Sequence, residues 1–171
     1  MQILHIFDEN NYNPEWRKIF REAARAVIIK NNKIALVKSK TDGYFKFPGG
    51  GIEQGESHFD TLIRETNEET GLHIIQQSIT EMGMVHELRK GLYGEEIFEQ
   101  KSYYYYADAD DTVTVTKLDD YEKDLGYELI WSDIETAYKI NAELGKNYET
   151  TFIIREAYVL KYLMENPHYI N

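Results

Sequence analysis

The sequence predicts one α/β domain in which a mixed β-sheet is covered by helices on both faces. Short apolar runs rich in β-branched residues recur along the chain, and two of them flank a turn sequence typical of a hairpin. Segments with a helical spacing of apolar residues lie between and after these runs. The length of 171 residues and the hydrophobic share of 42% suit a single domain with its own core. We therefore treat residues 1–171 as one domain.

The first expected elements are two strands joined by a tight turn. Residues 23–29 and 34–38 are apolar and β-branched, and Asn31–Asn32 between them tolerates the positive φ angles of a two-residue turn. Residues 1–20 fit neither a strand nor a helix pattern, so they are assigned to an amino-terminal extension.

A loop and then a helix are expected next. Proline and consecutive glycines end regular structure, so residues 44–51, which contain Pro48, are predicted to form a loop. A helix follows from Ser57, whose hydroxyl can cap the first turn with Asp60 at the third helical position, and Gly71 can end it in a left-handed conformation. The buried stripe of this helix is expected to comprise Phe59, Leu62, Ile63, Thr66 and Thr70.

The second half of the chain is expected to add three strands and two helices. The strands are predicted at residues 73–86, 96–107 and 127–131. The helices are predicted at residues 133–144 and 149–165, and Pro167 ends the second one.

The helix after the glycine loop carries an acidic face beside its buried stripe. Glu65, Glu68 and Glu69 are spaced i, i+3 and i+4, so their side chains share one side of the helix. Like charges at these spacings destabilise an isolated helix, and Arg64 is its only strong base. A divalent cation would relieve this repulsion, because Mg²⁺ prefers hard oxygen ligands such as carboxylates. On spacing alone, a solvated acidic face remains the alternative.

The residues from Gly50 to Leu72 follow a longer pattern than a helix requires. Its fixed positions are filled by Gly50, Glu56, Arg64, Glu65, Glu68, Glu69 and Gly71, and the apolar Leu72 follows. This stretch resembles the complete Nudix box, the signature of the Nudix hydrolases, which include the MutT-like enzymes. The one departure is Thr66, where an aliphatic residue is usual, and it lies on the buried stripe rather than among the acids.

The resemblance implies a fold, a reaction and a cofactor. The fold would be an α/β/α sandwich with a mixed sheet, in which the box forms a loop-helix-loop. The reaction would be hydrolysis of a phosphoanhydride bond in a nucleoside diphosphate linked to another group, as in a nucleoside triphosphate, a nucleotide sugar or a dinucleotide. The cofactor would be Mg²⁺, with Mn²⁺ as the alternative. No signal downstream of the box distinguishes these substrates, so their identity stays open.

The resemblance also implies roles for the box residues. Glu68 and Glu69 would be the principal metal ligands, and Glu65 would be a ligand or would orient the attacking water. Glu56 would be a further ligand or the partner of Arg64. Arg64 would fix the carboxylates through hydrogen bonds.

The glycine loop and nearby basic residues are the expected substrate contacts. Gly50 and Gly51 let the backbone approach a phosphate or a metal closely, and a carbonyl of Gly49 or Gly50 would touch the metal. Lys46 is the cation next to the loop. Other basic residues that precede the box could also reach phosphates, although a solvated side chain is the favoured interpretation for each of them: Arg21, Arg25, Lys38 and Lys40.

A general base outside the box is common in the family, and two acidic groups are candidates. The first group is Glu95, Glu96 and Glu99, and the second group is Glu122, Asp124 and Glu128. The second group is favoured because it precedes Trp131, near which family members often place such an acid. For each single residue, a surface carboxylate is the commoner alternative.

Four consecutive tyrosines, Tyr103 to Tyr106, lie in one predicted strand. Alternate members of a strand face opposite sides of the sheet. Core packing with a subunit contact is the favoured interpretation, because tyrosine is common in both settings. Stacking on a nucleotide base is the alternative.

Charge and composition limit the partners of this chain. The net charge of −11 opposes a stable complex with nucleic acid, so a small nucleotide is the expected partner. No apolar run approaches the roughly 20 residues of a membrane helix, and no signal-peptide pattern is recognised, so no membrane insertion is expected. The absence of cysteine fits the reducing cytoplasm. The amino-terminal extension and the tyrosine run also suit a homodimer.

Two other classes of function remain open beside the metal-dependent hydrolase. A nucleotide-sensing module would keep the fold without turnover, but such descendants usually lose one of the box glutamates, which are all present here. An enzyme acting on RNA 5′ ends would need a basic surface, which the net charge of −11 disfavours.

Overall fold

The computed structural model describes residues 1–147 and 152–167. Its strands are β1 (Ile3–Asp8), β2 (Arg17–Val27), β3 (Ile29–Lys30), β4 (Lys33–Lys38), β5 (Phe45–Lys46), β6 (Gly49–Gly51), β7 (Leu72–Ile74), β8 (Thr80–Lys90), β9 (Glu96–Tyr106), β10 (Ala109–Val113) and β11 (Glu128–Ser132). Its helices are α1 (His58–Thr70), α2 (Asp120–Asp124), α3 (Ile134–Leu144) and α4 (Phe152–Glu165), and Gln76–Ser78 forms a 3-10 turn.

The strands form a mixed sheet, as predicted, and two smaller sheets. The large sheet has the order β1-β8-β9-β2-β6, with parallel pairs β1–β8 and β2–β9 and antiparallel pairs β8–β9 and β2–β6. A second sheet is built around β4, which pairs with β3, β5 and β11. Strands β7 and β10 form a separate pair.

Two hydrophobic cores lie on opposite faces of the strands, so the three-layer arrangement is confirmed. On one face, Ala24 and Ala26 of β2 pack in the core that contains Leu62 of α1. On the other face, Val27 of β2 packs in the core that contains residues of α3 and α4, among them Leu160. This alternation along β2 follows from the two-residue period of a strand.

Helix α1 begins and ends as predicted. Ser57 caps it in a reciprocal pair with Asp60, and Gly71 ends it at φ 73°. A Cβ atom on Gly71 would lie 2.1 Å from the carbonyl oxygen of Thr114, so a larger residue does not fit there. One member of the predicted stripe is wrong, because Phe59 is 38% exposed. Its position in the first turn lies beyond the edge of the core.

The amino-terminal extension contains strands that the sequence pattern did not predict. Residues 1–20 hold β1 and the first part of β2, which begins at Arg17 rather than at residue 23. β1 is an edge strand whose Ile3 and Ile6 are exposed, and the first part of β2 runs beyond the core. Neither segment therefore shows the apolar alternation of a half-buried strand.

Other boundaries differ where short elements interrupt longer predicted ones. The strand predicted at 73–86 is divided into β7, the 3-10 turn and β8, and the loop predicted at 44–51 contains β5 and β6. Strand β10 and helix α2 had no counterpart in the prediction. The Asn31–Asn32 turn is confirmed, with φ angles of 52° and 59°. Of the helix predicted at 149–165, the part from Phe152 is confirmed, and residues 149–151 lie outside the described residues.

None of the helices in the described part of the chain combines the length and the apolar character needed to cross a bilayer.

Candidate active site

A cleft of about 1000 Å³ lies between the glycine loop and the segment around α2. One wall is formed by β6 and the acidic face of α1. Another is formed by residues from Lys117, whose backbone N–H donates to the carbonyl of Glu68 on α1, to Tyr127. The floor is the exposed end of the large sheet, with residues of β2, β8 and β9. The cleft is large enough to enclose a nucleotide-sized ligand.

The three acidic residues of the helix face line this cleft together. Glu69 is 1% exposed and accepts a 2.9 Å hydrogen bond from the backbone N–H of Gly49. Burial raises the pKa of Glu69 to about 7, although the paired ammonium group of Lys46 acts in the opposite direction. Burial also raises the pKa of Glu65, against the effect of Arg64. Glu68 is the most exposed of the three, with 36% of its side chain accessible.

Arg64 binds three carboxylates at once. Its Nε and Nη2 atoms donate to the two oxygens of Glu56 at 2.6 and 2.8 Å, and Nη1 donates to Glu65 at 2.8 Å and Glu68 at 3.1 Å. The guanidinium of Arg64 lowers the pKa of Glu56 to about 2. Thr61 donates a further hydrogen bond to Glu56. Glu56 was expected to be either a further metal ligand or the partner of Arg64, and these contacts are those of a partner of Arg64.

The glycine loop is pressed against α1 and β2. A Cβ atom on Gly50 would lie 2.3 Å from the carboxyl carbon of Glu65. Gly49 has φ 135°, and a Cβ there would lie 2.1 Å from the carbonyl oxygen of Ala24. Only glycine lets the backbone come this close to both neighbours.

A buried ionic network supports the glycine loop from below. Glu156 of α4 accepts a 2.8 Å hydrogen bond from the backbone N–H of Phe47, and Arg25 donates to the carbonyl of Gly49 at 3.2 Å. Arg155 binds Glu156 at 2.6 Å and Glu87 at 2.5 Å. Each of the four charged residues is at most 6% exposed. The network therefore fixes the loop to both α4 and the large sheet.

Sequence reasoning did not identify this network as functional. A usable signal was present in the sequence. Glu156 comes three residues after Ile153 and four residues before Leu160, so it lies on the buried stripe of the helix. A charge at such a position needs a buried partner. The identity of that partner depended on the tertiary fold.

A family model described as the NUDIX domain matches residues 20–150. The chain belongs to the Nudix family.

Known relatives and structures agree with this membership. The chain is 45% identical over 53 residues to an ADP-ribose pyrophosphatase of Methanocaldococcus jannaschii, which is 29% of this chain and 31% of the relative. It is 39% identical over 54 residues to an 8-oxo-dGTP diphosphatase of Buchnera aphidicola, which is 29% of this chain and 42% of the relative. The chain thus spans less than half of the length of either relative.

A NUDIX hydrolase structure from Nitrosomonas europaea has the same fold. It superposes with a TM-score of 0.60 at 20% identity and covers 86% of this chain and 90% of that one. At this identity the likeness concerns the fold alone, and it agrees with the three layers described above.

The structure places the remaining candidates of the sequence analysis in different settings. Among the described acids proposed as a general base, Glu122 lines the cleft, whereas Glu95, Asp124, Glu96, Glu99 and Glu128 do not. Glu122 is 5% exposed and accepts hydrogen bonds from the backbone N–H of Asp119 and the hydroxyl of Tyr121. Outside the cleft, Glu96, Glu99 and Glu128 form ion pairs with Arg17, Lys18 and Lys40.

The four tyrosines of β9 pack on both faces of the sheet and do not line the cleft. Tyr104 is fully buried, and its hydroxyl donates to Glu156 at 3.4 Å. On the opposite face, the hydroxyl of Tyr105 forms a 2.7 Å hydrogen bond with Nδ1 of His58. These positions favour core packing over base stacking. A subunit contact stays a prediction.

The Nudix box offers suitable donors for a divalent cation. Its carboxylates are the hard oxygen ligands that Mg²⁺ and Mn²⁺ prefer, and three of them line one wall of the cleft beside the glycine backbone. Within residues 1–147 and 152–167, no group of three or more such side chains already converges as a metal site. Instead, the charges are matched by Arg64 and Lys46. The donor set fits the metal in its chemistry, and the side chains of Glu65, Glu68 and Glu69 would turn towards it.

Proposed function

We propose that this Nudix protein hydrolyses a phosphoanhydride bond in a nucleoside diphosphate linked to another group, using Mg²⁺ or Mn²⁺. The observation that carries the proposal is the acidic wall of α1, which faces a nucleotide-sized cleft beside the glycine loop. The names of two relatives, an ADP-ribose pyrophosphatase and an 8-oxo-dGTP diphosphatase, support the same class of bond. The cytoplasmic location stays a prediction.

We assign Glu68 and Glu69 as principal metal ligands, with Glu65 as a third ligand or as the residue that orients water. When bound, the cation would neutralise charge on the phosphate oxygens and lower the pKa of a water molecule. Arg64 would hold Glu65 and Glu68 in place and keep Glu56 ionised. The exposure of Glu68 leaves its carboxylate the freest of the three to turn.

The residues around the box would orient the substrate. Gly50 and Gly51 line the cleft, and their backbone groups would contact a phosphate of the substrate. Lys46 pairs with Glu69, and we assign its ammonium group as a contact of a substrate phosphate oxygen. Glu122 of α2 also lines the cleft, and we assign it as the candidate general base outside the box.

The test is a hydrolysis screen with a matched pair of variants. Purified protein is incubated with nucleoside triphosphates, nucleotide sugars and dinucleotides, in Mg²⁺, Mn²⁺ or a chelator. Glu68→Gln is expected to lower turnover about a hundredfold or more, the size typical of losing a major electrostatic contribution. Glu135→Gln, an exposed glutamate on α3, removes a similar charge far from the cleft and is expected to retain full activity.

The outcomes separate the two functional classes. Hydrolysis of one substrate class that is lost in Glu68→Gln and in chelator supports the proposed reaction. Tight nucleotide binding without turnover across the panel would instead indicate a nucleotide-sensing module. Equal turnover of Glu68→Gln and wild type would overturn the assignment of the box.

A further inference from the structure

The floor of the cleft is one face of the large sheet where it extends beyond the core. Arg21 of β2 is opposite Gln100 of β9, which is opposite Glu87 of β8. In the adjoining row, Phe98 of β9 is opposite Arg89 of β8. Side chains two residues apart on a strand share a face, so these residues project together into the cleft that they line.

Most basic residues of the cleft are matched by a carboxylate. Arg64 and Lys46 pair with the glutamates of the box, and Arg25 and Arg155 lie in the buried network with Glu87 and Glu156. Arg21, Arg89 and Lys117 also line the cleft, and none of the three forms an ion pair with a carboxylate in the described part of the chain. On a protein with 30 acidic and 19 basic residues, two unpaired arginines in one cleft are not explained by general charge balance.

Arg21 lies directly beside the glycine loop. A Cβ atom on Gly51 would be 3.3 Å from both Nε and Nη2 of Arg21, so the guanidinium adjoins the loop backbone. Its surroundings are unfavourable to a cation: although Arg21 is exposed to solvent, partial desolvation in the cleft lowers its pKa, and the neighbouring Arg25 and Arg155 lower it further. An arginine remains charged in proteins, so an anion bound at this position would relieve the repulsion.

Arg89 is half-buried and held in a fixed orientation. Its guanidinium lies 4.3 Å from the ring centroid of Phe98, and Nη1 donates a 3.0 Å hydrogen bond to the carbonyl of Lys90. Stacking on a ring leaves the N–H groups at the edge of the guanidinium available in its plane. That edge matches the spacing of two oxygens of a phosphate group.

We propose that Arg21 and Arg89 form a phosphate subsite on the sheet floor. It would bind a phosphate group of the substrate that lies outside the bond being cleaved. The inference rests on the proposed function, and it specifies a substrate whose second part is itself phosphorylated, such as a longer polyphosphate, rather than a neutral sugar. Lys46, the cation favoured from sequence, is paired with Glu69 in this structure, whereas Arg21 and Arg89 form no ion pair with a described carboxylate.

The first test measures anion binding without turnover. Isothermal titration calorimetry with methylenediphosphonate, a pyrophosphate analogue that resists hydrolysis, is carried out in Mg²⁺ on wild type, Arg21→Gln and Arg89→Gln. Each substitution is expected to weaken the Kd about tenfold. Arg17→Gln is the matched control, because Arg17 lies on the same strand, has an 80% exposed side chain, pairs with Glu96 and does not line the cleft. Its Kd is expected to stay within twofold of wild type.

A thermal melt of each variant identifies any loss of folding, and Arg21→Lys and Arg89→Lys provide a second, milder pair. If folded Gln variants bind the analogue as tightly as wild type, the subsite is overturned. Wild-type protein that does not bind the analogue overturns it as well. Binding that depends on both arginines, combined with no hydrolysis in the substrate screen, would support the subsite and reject the proposed function.

The second test uses the substrates themselves. For a nucleoside triphosphate, Arg21→Gln and Arg89→Gln are expected to raise KM about tenfold and to leave kcat within threefold, because the subsite binds the substrate away from the reacting bond. For a nucleoside diphosphate linked to a neutral sugar, KM is expected to change less than threefold. An equal rise of KM for both substrates would contradict selection for a second phosphorylated group.

Discussion

At the scale of single residues, the site contains two kinds of acid with opposite electrostatic settings. Glu56 is held ionised by the two-pronged contact with Arg64, which lowers its pKa to about 2. Glu69 is withdrawn from water beside the glycine loop, which raises its pKa to about 7. The carboxylate of Glu56 therefore holds the guanidinium of Arg64 in place. The carboxyl group of Glu69 would exchange its proton for a cation near neutral pH.

This difference predicts a pH dependence of metal binding. Below pH 7 the carboxyl of Glu69 holds a proton, and a cation must displace it, whereas above pH 7 the carboxylate is free to bind. The Kd for Mn²⁺ is therefore expected to weaken as pH falls from 8 to 6, by up to about tenfold per pH unit below the pKa. Calorimetric titration at several pH values measures this slope. Glu69→Gln should bind more weakly and lose the slope; an unchanged slope in that variant would contradict the assignment.

The contact between Gly50 and Glu65 gives a second prediction at this scale. A methyl group at position 50 would overlap the carboxyl group of Glu65, so Gly50→Ala must displace that side chain from its place beside Arg64. Turnover is expected to fall about tenfold or more, since small displacements of catalytic groups cost this much. Gly94→Ala is the control, because a Cβ there meets nothing within 4 Å. Wild-type turnover in Gly50→Ala would mean that Glu65 has no positional role.

The residues that could be predicted from sequence are those related by short spacings. Glu65, Glu68 and Glu69 lie on one helix, so the period of the helix alone brings them together. Arg21 and Arg89 are on strands separated by β9 and are brought together by pairing over long sequence distances. No local pattern encodes such register, so Lys46, adjacent to the glycine loop, appeared the better phosphate contact.

At the scale of elements, α4 does more than cover the sheet. Its Arg155 and Glu156 are turned inward, and Glu156 holds the backbone of Phe47 just before the glycine loop. The helix was predicted from the sequence, but the inward position of Glu156 was not. The short strands β5 and β6 were missed because two or three residues carry too little pattern. Strand β5 is held instead by Asn141 of α3, which forms hydrogen bonds with both the N–H and the carbonyl of Phe45.

Breaking the buried network should destabilise the whole domain. Arg155→Met removes the guanidinium that binds both of the buried carboxylates of Glu87 and Glu156. Loss of one partner of a buried ion pair typically lowers the free energy of unfolding by about 3 to 5 kcal/mol. Urea denaturation measures this change. Arg17→Met, which breaks an exposed pair with Glu96, is expected to change stability by less than about 1 kcal/mol. Similar effects of the two substitutions would show that the network contributes little.

At the scale of the whole molecule, the net charge of −11 and the acidic cleft wall both create a negative potential at the site. Both repel a polyphosphate, so the protein needs cations in the cleft before such a substrate can bind. Fixed cations are provided on the floor by Arg21 and Arg89, and mobile ones would be provided by the metal. The global charge was readable from composition, but the placement of Arg21 and Arg89 on the sheet beside the acidic face of α1 required the fold.

This arrangement predicts that Mg²⁺ stabilises the protein in two separable ways. Any salt screens the repulsion among the acidic groups, so Tm should rise modestly with ionic strength for every variant. A specific site adds a further stabilisation that grows as RT ln(1 + [Mg²⁺]/Kd), about 2.7 kcal/mol at a hundredfold excess over Kd. At matched ionic strength, wild-type protein in MgCl2 should therefore melt several degrees above the same protein in NaCl. The excess should disappear in Glu68→Gln/Glu69→Gln and persist in Glu135→Gln. An excess of the same size in all three proteins would assign the effect of Mg²⁺ to the acidic surface as a whole and not to the wall of α1.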